Sequence, residues 1–180
     1  MKAAVTSILV AIILALIFSV PALAQDSDTI TITMTGVNDI SISLDKTQWP
    51  LGNVASNTEY ATSPAIEWCT LTVEGNCNVN IFIVGEDAEW IDNPAAYKWT
   101  LSNDGTNGEN VYGLKFRISG DTARGYVPIT KTEDEFWPYD DGSSLAPGDN
   151  KQFGLKLLTP THFVGGRQMQ TQITISAVAA

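Results

Sequence analysis

Two cysteines (Cys69 and Cys77), one histidine (His162) and 20 acidic side chains are the groups with which this 180-residue chain could do chemistry. A zinc site or a His-dependent catalytic centre needs more nitrogen and sulfur donors than that. No GxSxG elbow, HExxH helix, phosphate-cradling glycine loop or dinucleotide fingerprint occurs. His162 lies in Thr159-Pro160-Thr161-His162-Phe163, where one strand-like run turns into the next. With no activating partner marked in sequence, it reads as a surface or hydrogen-bonding residue. Two carboxylates about 5–10 Å apart would suffice for glycoside hydrolysis, but nothing singles out a pair among 20. The expectation is a non-enzymatic protein.

The cysteines suggest structure instead. Both occupy odd positions, in phase with Leu71, Val73, Val79, Ile81 and Ile83, so both would point to one face of a hairpin turning at Val73-Glu74-Gly75-Asn76. A Cys69–Cys77 disulfide closing so short a loop would add about 2–3 kcal/mol if unstrained. The spacing is not CxxC, which argues against redox chemistry; two buried free thiols are the other option.

Carboxylate-rich loops suit a hard cation that takes six to eight oxygens. Calcium is the metal to expect if there is one, with Asp134, Asp140 and Asp141 as ligands, and Asn103, Asp104 and Asn107 a second set. The second set only grazes the EF-hand pattern, because its twelfth position is Leu114 instead of Glu. No ligand spacing among them is diagnostic, and the same loops read more simply as solvated acidic surface. Five Trp raise a carbohydrate-binding reading, since sugar faces stack on exposed rings. Trp68 and Trp99 open strand-like runs and read as core plugs; Trp90 and Trp137 lie in acidic loops and are the better ligand candidates.

The elements that must position these groups are strands. Residues 29–35 (TITITMT) alternate without a fault, and Ile40, Ile42 and Leu44 continue the parity. Alternation recurs at 112–118 and 153–157, the 169–178 segment is strand-like, and further strands are plausible at 67–73, 78–84, 97–102 and 125–131. About nine short strands separated by Gly, Asn, Asp and Pro clusters predict an all-β, two-sheet sandwich of jelly-roll character. Segments 70–86 and 100–121 echo each other as strand, acidic-Gly turn, strand, which reads as two hairpins of like turn chemistry. Long loops are expected at 49–66, 85–96 and 132–150.

Before these strands, Lys2 and the apolar run Ile8–Val20 lead into Pro21-Ala22-Leu23-Ala24, the small-x-small pattern of a signal-peptidase site. Residues 1–24 are thus expected to be removed, leaving a single domain over 25–180 that is secreted or held at the cell surface, with no membrane span. Without Lys2, the 10 Lys+Arg become 9 against 20 Asp+Glu, a net charge of −11. Such a body repels nucleic acid and anionic membrane faces.

Directly after the cleavage site, residues 25–35 form an amphipathic strand, free at one end and joined onward through Gly36. It can complete its own sheet, or fill a groove in a neighbour's sheet, with Ile30, Ile32 and Met34 entering alternate pockets. Repeated head to tail, the second arrangement does not close and makes a fibre. A signal, an immediate Thr/Ile strand, an acidic jelly-roll-like body and a strand-like end together resemble secreted fibre subunits of TasA/camelysin type and archaeal bundling pilins. The Leu145-Ala146-Pro147-Gly148 turn before Phe153–Leu157 is similar to the closing hairpin of many secreted sandwich domains. The resemblance implies self-assembly into extracellular filaments through the N-terminal strand, with copies of the same chain as partners. A monomeric module binding glycan or a surface protein through Trp90 and Trp137 is the other reading.

Overall fold

The computed structural model describes residues 30–64, 67–121, 124–137 and 144–180. The chain divides into two units, Met1–Gly36 and Val37–Ala180. The expected signal segment 1–24 lies outside the described residues. Residues 30–36 are the described part of the first unit and carry no strand.

Twelve strands are found among the described residues, all in the second unit: β1 (Ile42–Leu44), β2 (Glu59–Ala61), β3 (Cys69–Val73), β4 (Val79–Gly85), β5 (Ala88–Trp90), β6 (Lys98–Leu101), β7 (Val111–Ile118), β8 (Val127–Pro128), β9 (Asp134–Trp137), β10 (Asn150–Leu158), β11 (Met169–Gln170) and β12 (Ile173–Ala179). There is no helix among the described residues, hence none long and apolar enough to cross a membrane. The larger sheet runs β1-β3-β10-β7-β6-β5-β11, with β2 beside β10 and β8 beside β7; the smaller runs β12-β4-β9. The fold is an all-β sandwich, as the alternating pattern predicts.

Alternation decides which residues enter the core. In β3 and β4 every second residue is buried: Leu71 and Val73 on one sheet, Val79, Ile81 and Ile83 on the other. Leu114, Phe116 and Ile118 on β7 and Phe153 and Leu157 on β10 complete the larger sheet's inner face. Phe136 on β9 reaches across from the smaller sheet. Its ring centroid is 5.0 Å from that of Phe116 and 5.0 Å from that of Phe153, edge-on to the latter. Those contacts fasten the two layers, in the offset geometries that aromatic quadrupoles prefer.

In the order of the described strands the sheet changes five times, at β3–β4, β4–β5, β8–β9, β9–β10 and β11–β12. The first crossing corrects an expectation. Residues 70–86 form no hairpin: β3 pairs with β1 and β10, and β4 with β12 and β9. The turn at Glu74-Gly75 is an arch from one layer to the other, held by Glu74 N–H donating to Ser41 O at 2.8 Å. A side chain at Gly75 would collide with the Asp39 carbonyl, so the arch requires glycine there. The second echo, 100–121, is no hairpin either, since β6 and β7 run parallel. Strands β2, β5 and β9 lie inside stretches read from sequence as loops.

Candidate functional site

Ile30, Ile32 and Met34 are 90, 74 and 85 % exposed. The flawless alternation of this segment therefore coincides with no strand in residues 30–35 and with apolar side chains in solvent. Downstream, the second unit grips its own first residues through one side chain. Asn76 Nδ2 donates to the Val37 carbonyl at 2.9 Å, and Asn76 Oδ1 accepts from Asp39 N–H at 2.7 Å. The Asn76 backbone N–H adds a bond to Asp39 O at 2.9 Å. These hydrogen bonds thus reach back to Val37, directly after the exposed run, and the ladder itself starts at Ile42. Sequence reasoning gave Asn76 only a turn role; its side chain completes what would otherwise be unpaired backbone.

Cys69 and Cys77 are free thiols, which corrects the expected disulfide. Cys69 Sγ lies 3.3 Å from Lys46 O and Cys77 Sγ 3.6 Å from Asp39 O. These carbonyls are seven residues apart along the extended segment that contains β1, roughly 20 Å at strand rise. A disulfide needs Cα atoms within about 7 Å. The cysteines are separated by the length of β3, Cys69 as its first residue and Cys77 beyond the arch. Burial raises the Cys69 thiol pKa above its ordinary value, with Asp45 adding to the effect and the hydrogen bond to Lys46 O opposing it.

The two candidate tryptophans are held apart, on different sheets. Trp90 on β5 pairs with Met169 of β11. The Arg167 guanidinium lies 5.0 Å from the Trp90 ring and 4.3 Å from that of Tyr97, and Tyr97 is fixed by its hydroxyl donating to Asn110 Oδ1 while accepting from Val164 N–H at 2.9 Å. Trp137 on β9 faces the Lys151 ammonium at 3.7 Å from its ring centre. Each ring thus has a cation partner of the kind that aromatic faces attract. Trp99 is buried, as a core plug should be, 4.8 Å from Phe163; Trp68 is only half-buried.

Of the expected calcium ligands, Asp134 opens β9 and accepts from Glu135 N–H at 2.8 Å, while Asp140 and Asp141 lie outside the described residues. In the second set, Asp104 acts as a turn cap. Its Oδ1 accepts from Ser102 Oγ, Thr106 N–H and Thr106 Oγ1 at 2.6, 2.9 and 2.6 Å. Those hydrogen bonds, from Ser102 first, hold its pKa well below the ordinary carboxylate value. Asn107 Nδ2 ties the same loop to Asn57 Oδ1 and Thr159 O. Among the described residues no group of three His, Cys, Asp or Glu side chains is placed to hold a metal ion. His162 is exposed, and its carbonyl accepts from Asn110 N–H at 3.0 Å.

The C-terminal strand is where the alternation predicts one, but the alternation gives no sign of its open edge. β12 pairs with β4 along its whole length, from Ile173 opposite Gly85 to Ala179 opposite Val79. Among the described residues no strand pairs with its other side. Its composition, ITISAVA, has no charge, Pro or Gly, and that was the available signal: an unprotected edge. No protein-family model matches this chain, and no curated protein matches its sequence.

Proposed function

We propose that this chain is a secreted, non-enzymatic structural or adhesive subunit that assembles with copies of itself through residues 25–35. The observation that carries this reading is the exposure of Ile30, Ile32 and Met34. Three large apolar side chains at strand spacing cost free energy in water, about 1.5–3 kcal/mol each relative to full burial. Covering them is therefore a driving force available to a partner that offers a sheet edge. The alternating Thr residues supply β propensity without charge. The reading agrees with what the resemblance to TasA/camelysin-type and archaeal bundling pilin subunits implies.

The test is negative-stain microscopy and light scattering on the chain from Gln25, beside one starting at Val37. All the strands and the core found among the described residues lie within Val37–Ala180, so the shorter chain is expected to fold with a nearly unchanged Tm. Filaments from the longer chain and a monomer from the shorter one are the expected pair of results. A longer chain that stays monomeric at high concentration would overturn the proposal.

A further inference from the structure

A strand offered by one copy needs a receiving edge that is long, unpaired and uncharged, and the edges of this fold differ in those respects. The larger sheet ends in β1 and β11, three and two residues long, and its side strands β2 and β8 are three and two. β1 is flanked by Asp39, Asp45 and Lys46. The smaller sheet ends in β9, four residues that include Asp134 and Glu135, and in β12, seven residues with no charge. Charges, Pro, bulges and brevity are the devices that keep edges from accepting strands. β12 has none of them.

The register shows what that edge presents. Ala180 N–H donates to Asn78 O at 3.0 Å and Glu86 N–H to Gln172 O at 3.2 Å. In an antiparallel ladder, residues directed at the partner alternate with residues directed away. Thr174, Ser176 and Val178 therefore bond β4, whereas Ile173, Ile175, Ala177 and Ala179 direct their N–H and C=O groups to the open side. The side chains of Ile173, Ile175 and Ala177 pack against the core yet are only partly buried. Ile175 and Ala177 lie opposite Ile83 and Ile81, which are fully buried. The core is thus incompletely covered along the same flank that has unpaired backbone.

We infer that the free edge of β12 receives residues 30–35 of a second copy of this chain, with Ile30, Ile32 and Met34 extending the core beside Ile173, Ile175 and Ala177. The inference rests on the assembly proposed above and adds the receiving surface. Donor and edge match in length, in alternation and in lacking charge, within a molecule whose net charge of −10 makes its copies repel elsewhere. The added strand completes the row of hydrogen bonds that β12 leaves open.

The test uses the full chain exported and purified from outside the cytoplasm. Ala177→Pro removes an N–H aimed at the open side and leaves the β4 bonds of Ser176 and Val178 in place. It is expected to weaken self-association by about tenfold, the worth of one lost ladder hydrogen bond, with little change in far-UV circular dichroism. In parallel, one copy carrying Ile32→Cys is mixed with another carrying Ile175→Cys, both in a Cys77→Ser background. A disulfide-linked dimer on a non-reducing gel is expected; because it needs no proline, it decides the matter if Ala177→Pro fails to fold. Parental filaments that persist in Ala177→Pro and form no such cross-link would overturn the β12 assignment and leave self-assembly standing. A parent chain that never associates would overturn both. A chain with both cysteines that closes on itself as a monomer would place the strand at home and also overturn the assignment.

Discussion

Cys69 and Cys77 differ enough in surroundings for their reactivities to separate. The thiolate is the species that reacts with alkylating agents. Cys69 is 8 % exposed, donates toward Lys46 O, and has its pKa raised first by burial. Cys77 is half-exposed beyond the arch. Iodoacetamide on the folded, unreduced protein is expected to modify Cys77 first, and Cys69 only as the domain unfolds. Mass spectrometry after denaturing alkylation without reductant should find both thiols modified. A chain in which neither cysteine takes the label under those conditions would contain the bridge that the geometry opposes.

Phe136, with Val79, Ile81 and Ile83, is one of the residues through which the smaller sheet holds the larger, and it is the buried side chain of β9. Its ring is fully buried between Phe116 and Phe153. Phe136→Ala is expected to destabilise the domain by about 3–5 kcal/mol, as removing a buried aromatic ring generally does, read from urea unfolding midpoints. A loss below about 1 kcal/mol would mean that β9 is dispensable to the sandwich. The pattern around Phe136 also marks the limit of legibility. β3, β4 and β7 are readable because each buries alternate residues over five or more positions, and β10 because Phe153, Leu155 and Leu157 alternate with Gly154 and Lys156. β9 is DEFW, four residues with two charges and one truly buried side chain, which leaves no period to detect. The Cys69–Cys77 segment misled for a different reason. Parity reports which way side chains point but not which sheet they belong to, so a hairpin within one layer and an arch between two layers look alike. At 29–35 the period was plain, yet a strand is a relation between two segments. Alternation in one of them cannot say where its partner is. The open edge of β12 was legible as composition, and only the pairing register showed which of its residues face outward.

On the scale of the whole molecule, charge and assembly pull in opposite directions. Copies of the chain from Gln25, with 9 basic side chains (the 10 less Lys2) against 20 acidic ones, repel one another at distances beyond contact. That repulsion reaches about 30 Å at 0.01 M salt and only about 8 Å at 0.15 M. The segments proposed to meet, residues 30–35 and β12, contain no ionisable side chain, so their contact itself should be almost insensitive to salt. The two stages therefore separate. Raising salt from 0.01 to 0.15 M should speed association of the chain from Gln25, because repulsion before contact is screened. Dissociation on dilution should hardly change, since the contact is made of backbone hydrogen bonds and apolar burial. Stopped-flow light scattering for growth and dilution for loss would measure both. An interface built on ion pairs would behave oppositely, with dissociation accelerating as salt rises. Salt-accelerated dissociation would thus move the contact away from the uncharged strand and onto the charged loops around Glu133 and Asp134 or Asp45 and Lys46. Faster growth with unchanged loss is the signature expected of a strand added to an uncharged edge.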